Sequence, residues 1–198
     1  GGEFVPVKAI PGESFEVSAT VFREGHDQLG ADVVLFNASG KEIDRVVMQE
    51  VWHGGDRFKA TIRIPDRGDF SYAIESYDHP LATWLHDAEI KIAAGVDAEL
   101  MCAVGIELLS EVVASDSSAK SLLKSALATL KDSKISPADR FAVASTPEIR
   151  SYFATHPIRR LATVSEKYPV RADHPRALVG SWYEFFPRSE GAIQNEDG

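Results

Sequence analysis

The side chains best equipped for chemistry are scattered along this chain rather than gathered into a motif. Its six histidines are His26, His53, His79, His86, His156 and His174. None pairs with another at the one-, three- or four-residue spacing of a strong metal site, and no HExxH motif occurs. Gly25-His26-Asp27 brings together the residue types of a catalytic His-Asp pair. The composition around it predicts instead a turn in which Asp27 accepts backbone N–H groups. Glu75, Asp78 and Asp87 are acids of the kind that glycoside chemistry sets across a cleft, but no spacing singles them out. The single cysteine, Cys102, excludes an internal disulfide and a cysteine zinc cluster. It lies in an apolar helical stretch, where a small buried hydrophobe is expected. No nucleophile elbow, P-loop or dinucleotide fingerprint is present. The sequence therefore predicts no catalytic residue, no metal ligand and no cofactor. What remains is Trp52 and Trp84, rings of the kind on which sugars stack. Both are predicted at strand-to-loop junctions, each either a core plug or an exposed platform.

The composition narrows the classes. A formal net charge of −9 argues against nucleic acid as a partner, since phosphate must be met by Lys and Arg. No apolar run approaches the roughly 20 residues of a membrane span, and no signal peptide opens the chain. One cysteine fits a reducing, cytoplasmic setting. With 44% apolar and 26% charged residues the chain can build a core. At 198 residues it is short for a complete (β/α)8 barrel, a fold of about 250 residues.

Two textures would position these side chains. The first half reads as β. Phe15, Val17, Ala19 and Val21 alternate with polar residues, as do Phe58, Ala60, Ile62 and Ile64. Further strands are expected at 31–37, 43–51, 70–76 and 84–92, separated by Gly, Asp and Asn turns that include 53–56. Such short strands suggest an antiparallel sandwich. Beyond Gly95, Leu100, Val104, Leu108 and Val112 recur every four residues, and Leu122, Leu123, Ala126, Leu127 and Leu130 repeat the logic. Ser136-Pro137 and Thr146-Pro147 are N-cap and first-turn signals for helices over about 137–144 and 147–155. A last helix is expected around 158–168.

The tail has a third character. Residues 182–186, Trp-Tyr-Glu-Phe-Phe, are strongly β-prone. A strand this apolar needs neighbours on both faces, as in a parallel barrel, so the sequence reads as cut. In the absence of such a barrel this run is expected to pack on the sandwich or the helices, and the residues after Gly191 are expected to be disordered.

Six segments carry a family likeness. They are Arg23-Glu24-Gly25-His26-Asp27, Asp56-Arg57-Phe58-Lys59-Ala60, Gly68-Asp69-Phe70-Ser71-Tyr72 and Tyr77-Asp78-His79-Pro80-Leu81-Ala82-Thr83-Trp84. Then come the run from Lys91 to Leu100, and His174-Pro175-Arg176-Ala177 with the run from Gly180 to Gly191. Their order and spacing resemble the N-terminal region of the bacterial α-1,4-glucan:maltose-1-phosphate maltosyltransferases, which are α-amylase-like glycosyl transferases of glycoside hydrolase family 13. The resemblance implies an α+β, multi-domain chain: an antiparallel immunoglobulin-like β-sandwich at 1–95, an α-helical bundle domain at 96–169, and at 170–198 a return segment with the first strand of a catalytic barrel. It implies that the catalytic acids lie in that barrel, elsewhere in the full-length chain. Scaffolding and homodimerisation would then be the work of this region, with α-glucan binding the alternative.

Overall fold

The computed structural model describes residues 5–52, 55–181, 183–186, 190–191 and 193–195. Among these the chain is α+β, with two sheets and five α-helices.

The strands are β1 (Val7–Ala9), β2 (Ser14–Thr20), β3 (Leu29–Asn37), β4 (Glu42–Val47), β5 (Gln49–Glu50), β6 (Arg57–Arg63), β7 (Gly68–Asp78), β8 (Arg160–Val164) and β9 (Tyr168–Ala172). The larger sheet runs β1-β9-β7-β3-β4, with β8 also pairing β7. Only the β1–β9 pair is parallel among the pairings described. The smaller sheet runs β2-β6-β5.

The alternation read in the sequence sets the packing. In β6, Phe58, Ala60 and Ile62 are buried while Lys59, Thr61 and Arg63 are exposed. Val17 stands opposite Ala60 in the antiparallel register of β2 and β6. These side chains meet Ala31, Val33 and Leu35 of β3 and Val170 of β9 in one core between the sheets.

The expected strand at 43–51 is split. Met48 is buried at the break, its N–H donating to Ala31 O at 2.8 Å. β4 before it belongs to the larger sheet and β5 after it to the smaller, so the chain changes sheet at this residue.

The helices are α1 (Pro80–Ala93), α2 (Ala98–Ser115), α3 (Ala119–Lys131), α4 (Pro137–Ala144) and α5 (Pro147–Thr155). They share a second core built on Leu81, Trp84, Leu109, Leu123, Leu130 and Phe153. Ser136 and Thr146 cap α4 and α5, accepting from the N–H of Asp139 and Ile149, as the Ser-Pro and Thr-Pro signals predict.

Three expectations are corrected. Residues 84–92 are not a strand but most of α1. His79 caps that helix, Pro80 opens it, and Leu81, Trp84, Leu85 and Ala88 form its buried stripe. Residues 158–168 are not a helix. They carry β8, whose five residues are all exposed, and lead into β9. Residues 183–186 form no strand and do not pack on sandwich or helices, for Tyr183, Phe185 and Phe186 are exposed. Trp182 lies outside the described residues, as do Ala192 and residues 196–198. A short 3-10 helix at Pro175–Val179, capped by His174, precedes this tail.

Candidate functional site

The acids that could do glycoside chemistry are taken up by cations. Glu75 accepts from Arg45 at 2.7 Å, Asp78 from Arg23, and Asp87 from Lys91 at 2.8 Å. Asp27 accepts from Arg23 Nη2 at 2.9 Å rather than from backbone N–H groups or His26. No group of three or more His, Cys, Asp or Glu side chains among the described residues could hold a metal ion.

The histidines do separate structural work. His79 accepts from the Ala82 N–H at the start of α1 and makes a backbone hydrogen bond at Phe153. Burial pushes its pKa down to about 4, so the ring is neutral. His156 stacks on Tyr152 at 4.2 Å. His53 lies outside the described residues.

The most concentrated electrostatics sit at a residue that no motif or spacing singles out. Asp32 lies in the middle of β3 with no exposed surface. It accepts from Tyr77 Oη at 2.8 Å, Arg45 Nη1 at 3.0 Å and Arg159 Nε at 2.6 Å. Arg159 also lies over the Tyr77 ring, 5.2 Å from its centroid. Burial, then the neighbouring carboxylate, raises the Tyr77 phenol far above its usual range. Glu42, Glu75 and Asp32 together raise the Arg45 guanidinium. Arg159 precedes β8, so the network ties the segment returning from the helices onto the larger sheet. One acid inside an apolar strand is the signal that could have found it.

Trp84 is not at a strand-to-loop junction. It lies in α1, 3% exposed, with Nε1 donating to Met101 O at 2.8 Å and the ring edge-on to Phe141. A Cβ on Gly105 would fall 2.4 Å from Trp84 Cζ2, so glycine is what lets α2 approach that ring. Trp52 is the opposite case, 59% exposed beyond the end of β5. A cleft of about 420 Å³ is lined by residues of both sheets and of α1 and α5, among them Met48, Phe58, Tyr77, Leu85 and Phe153. A second hollow of about 340 Å³ shares Gln28, Leu29, Glu50, Phe58 and His86 with it.

Fold and site together define a class: an α+β protein of two sheets and five helices among the described residues, in which Glu75, Asp78 and Asp87 are ion-paired and Trp52 is exposed. The family follows from comparison. Residues 1–174 match the family described as alpha-1,4-glucan:maltose-1-phosphate maltosyltransferase, domain N/S, and the chain belongs to that family. Two such maltosyltransferases of Streptomyces coelicolor are each 43% identical over 195 residues, covering 98% of this chain and 29% of their own length. The Arcanobacterium haemolyticum enzyme is 40% identical, covering 97% of this chain and 28% of its own. That of Bifidobacterium longum is 30% identical, covering 94% and 28%. The chain thus spans less than a third of the length of these relatives.

Proposed function

We propose that this chain is the non-catalytic N-terminal part of a bacterial maltosyltransferase, one that passes maltosyl groups from maltose 1-phosphate to an α-1,4-glucan. The observation that carries this reading is the family match over residues 1–174, set beside relatives more than three times as long. The commitment of Glu75, Asp78 and Asp87 to ion pairs agrees with it. The chemistry would belong to a catalytic barrel elsewhere in the full-length chain. The division of labour follows the two cores: an immunoglobulin-like sandwich made by both flanks of the sequence, and a helical bundle between them. In this reading the helical unit is α1–α5. The region serves as scaffold and as the contact of a homodimer, in the cytoplasm. No helix among the described residues is long and apolar enough to cross a membrane.

The test is direct. This chain releases no phosphate from maltose 1-phosphate, and release above the buffer rate refutes the non-catalytic reading. Sedimentation should show a dimer that dissociates on dilution; a monomer at every concentration refutes the dimer.

A second reading is favoured by one observation, the exposure of Trp52. In it the region binds α-glucan without acting on it.

A further inference from the structure

We infer that the hollow between β2 and β8 binds a phosphorylated sugar, with Arg57 and the hydroxyls of Ser18 and Thr20 meeting the phosphoryl group. Nothing in this assignment depends on the maltosyltransferase reading.

The hollow has a volume of about 630 Å³ and is lined from both sheets, by residues 17–22 and Arg57 on one side and by residues of β7, β8 and β9 on the other. The chain carries a net charge of −9, yet no Asp or Glu is among the described residues that line this hollow, and Arg57 is the single Lys or Arg among them. The acid of β2, Glu16, is already paired with Lys59 at 3.2 Å. An anion entering here therefore meets a cation and no facing carboxylate.

The half-buried Arg57 is held by neutral groups. Its Nη1 donates to Thr20 Oγ1 at 3.1 Å and its Nη2 to Ser18 Oγ at 2.5 Å. Thr20 stands opposite Arg57 in the β2–β6 register, and Ser18, two residues earlier, lies on the same face. The guanidinium makes no ion pair with a carboxylate among the described residues, so its charge is fixed in place without being cancelled. Each hydroxyl accepts one N–H and keeps its own hydrogen to donate, and three of the five guanidinium N–H groups remain for a ligand. Guanidinium and hydroxyl donors set side by side match a phosphoryl group, which offers three strong acceptor oxygens.

A phosphoryl group fills only part of such a volume. Tyr72, Ile74 and Val164 line the rest with apolar surface suited to the C–H faces of a pyranose, and Thr163 and Tyr168 add hydroxyls for its rim. The Tyr72 and Tyr168 rings lie against each other, 5.3 Å between centroids, so this wall is formed before any ligand arrives.

The experiment is a calorimetric titration of the 198-residue protein at low salt with glucose 1-phosphate, inorganic phosphate and maltose in separate arms. Glucose 1-phosphate should bind in the millimolar range, about tenfold or more tighter than either of the others. Arg57→Gln can still reach the hydroxyls of Ser18 and Thr20 but has no charge, and should weaken glucose 1-phosphate by about tenfold or more. Thr163→Val, on the opposite wall, should weaken glucose 1-phosphate and leave inorganic phosphate unchanged. Far-UV circular dichroism checks that each variant folds, and Ser18→Ala replaces Arg57→Gln if the latter does not. No heat with glucose 1-phosphate at saturating millimolar concentration overturns the assignment. So does an unchanged affinity in a folded Arg57→Gln or Ser18→Ala protein, and so does inorganic phosphate or maltose binding as tightly as glucose 1-phosphate. Failure here leaves the non-catalytic reading standing, since that is decided by phosphate release.

Discussion

Replacing Asp32 by alanine should be among the most damaging single changes in the sandwich. The carboxylate is inaccessible to water and holds three donors, Tyr77 Oη, Arg45 Nη1 and Arg159 Nε. The donors are not equally stranded by its loss. Arg45 and Arg159 are 27% and 30% exposed, and Arg45 keeps Glu42 and Glu75, so both recover much of what they lose. Tyr77 is buried, only 2% exposed. Leaving its hydroxyl unsatisfied costs about 1–3 kcal/mol. Removing one partner from a buried charge cluster costs about 3–5 kcal/mol, and partial rehydration of the arginines brings the expected total to the lower end, about 3 kcal/mol. For a chain of this size that corresponds to a fall in Tm of about 6–12 °C. Urea unfolding followed by circular dichroism reads it, with Glu75→Gln as the control. Glu75 shares Arg45 with Glu42 and Asp32, and its loss should cost about 1 kcal/mol or less. A loss below about 1 kcal/mol in Asp32→Ala would refute the idea that this network fastens the returning segment to the sheet.

Other outcomes follow from single features. Gly105→Ala should destabilise by about 1–3 kcal/mol through the clash with Trp84; an unchanged urea midpoint and an unchanged near-UV spectrum would show that the helices have slack there. His79 is neutral and buried with its pKa lowered to about 4, whereas the unfolded chain takes up a proton near 6.5. Its contribution is therefore complete above about pH 6.5 and is lost as the pH falls from there toward 4. His79→Asn can still cap α1, and should flatten the change in urea midpoint across that window; an unaltered slope would point to other groups. Asp116 acts lower down, because Tyr152 and Ser118 hold its carboxyl at about 2, so its contribution disappears only between about pH 3.8 and 2. Leu161 is exposed and has a φ of 52°, so Leu161→Gly should relieve left-handed strain and leave Tm unchanged or raised. A clear fall in Tm would mean that its side chain is held after all.

What could be read in advance was what depends on local pattern. The alternation of Phe58, Ala60 and Ile62 and the spacing of Leu123, Ala126 and Leu130 each report burial on one face, and each is buried as expected. The caps at Ser136 and Thr146 act within three residues and were equally legible. α1 was misread because Trp84, Ile90 and Ile92 are good strand formers. The contrary signal was present in His79-Pro80 and in Leu81, Trp84, Leu85 and Ala88 at helical spacing. β8 could not be read at all. Its residues are all exposed, and it is a strand only because β7, about ninety residues earlier, offers an edge. At the candidate site Trp52 is visible by type, but the close approach of Gly55 to its ring is a property of the folded chain. Asp32 was overlooked because strand propensity weighs it as a defect, whereas two arginines and a tyrosine from other segments make it a hub.

The pairing of β1 with β9 has a consequence in time. Val7 stands beside Val170, so the first strand finds its partner more than 160 residues later. As the chain leaves the ribosome, the helices close their own core from contacts within Leu81–Phe153. The larger sheet must wait, with β1 unpaired and the β7 edge open, until β9 emerges. Local contacts form quickly and distant ones slowly, so the helical unit is the early-folding part and the sheet the late one. In a refolding experiment with pulsed hydrogen exchange, amides of α2 and α3 would gain protection ahead of those of β1 and β9. The interval between the two is when this chain is most open to unwanted strand pairing.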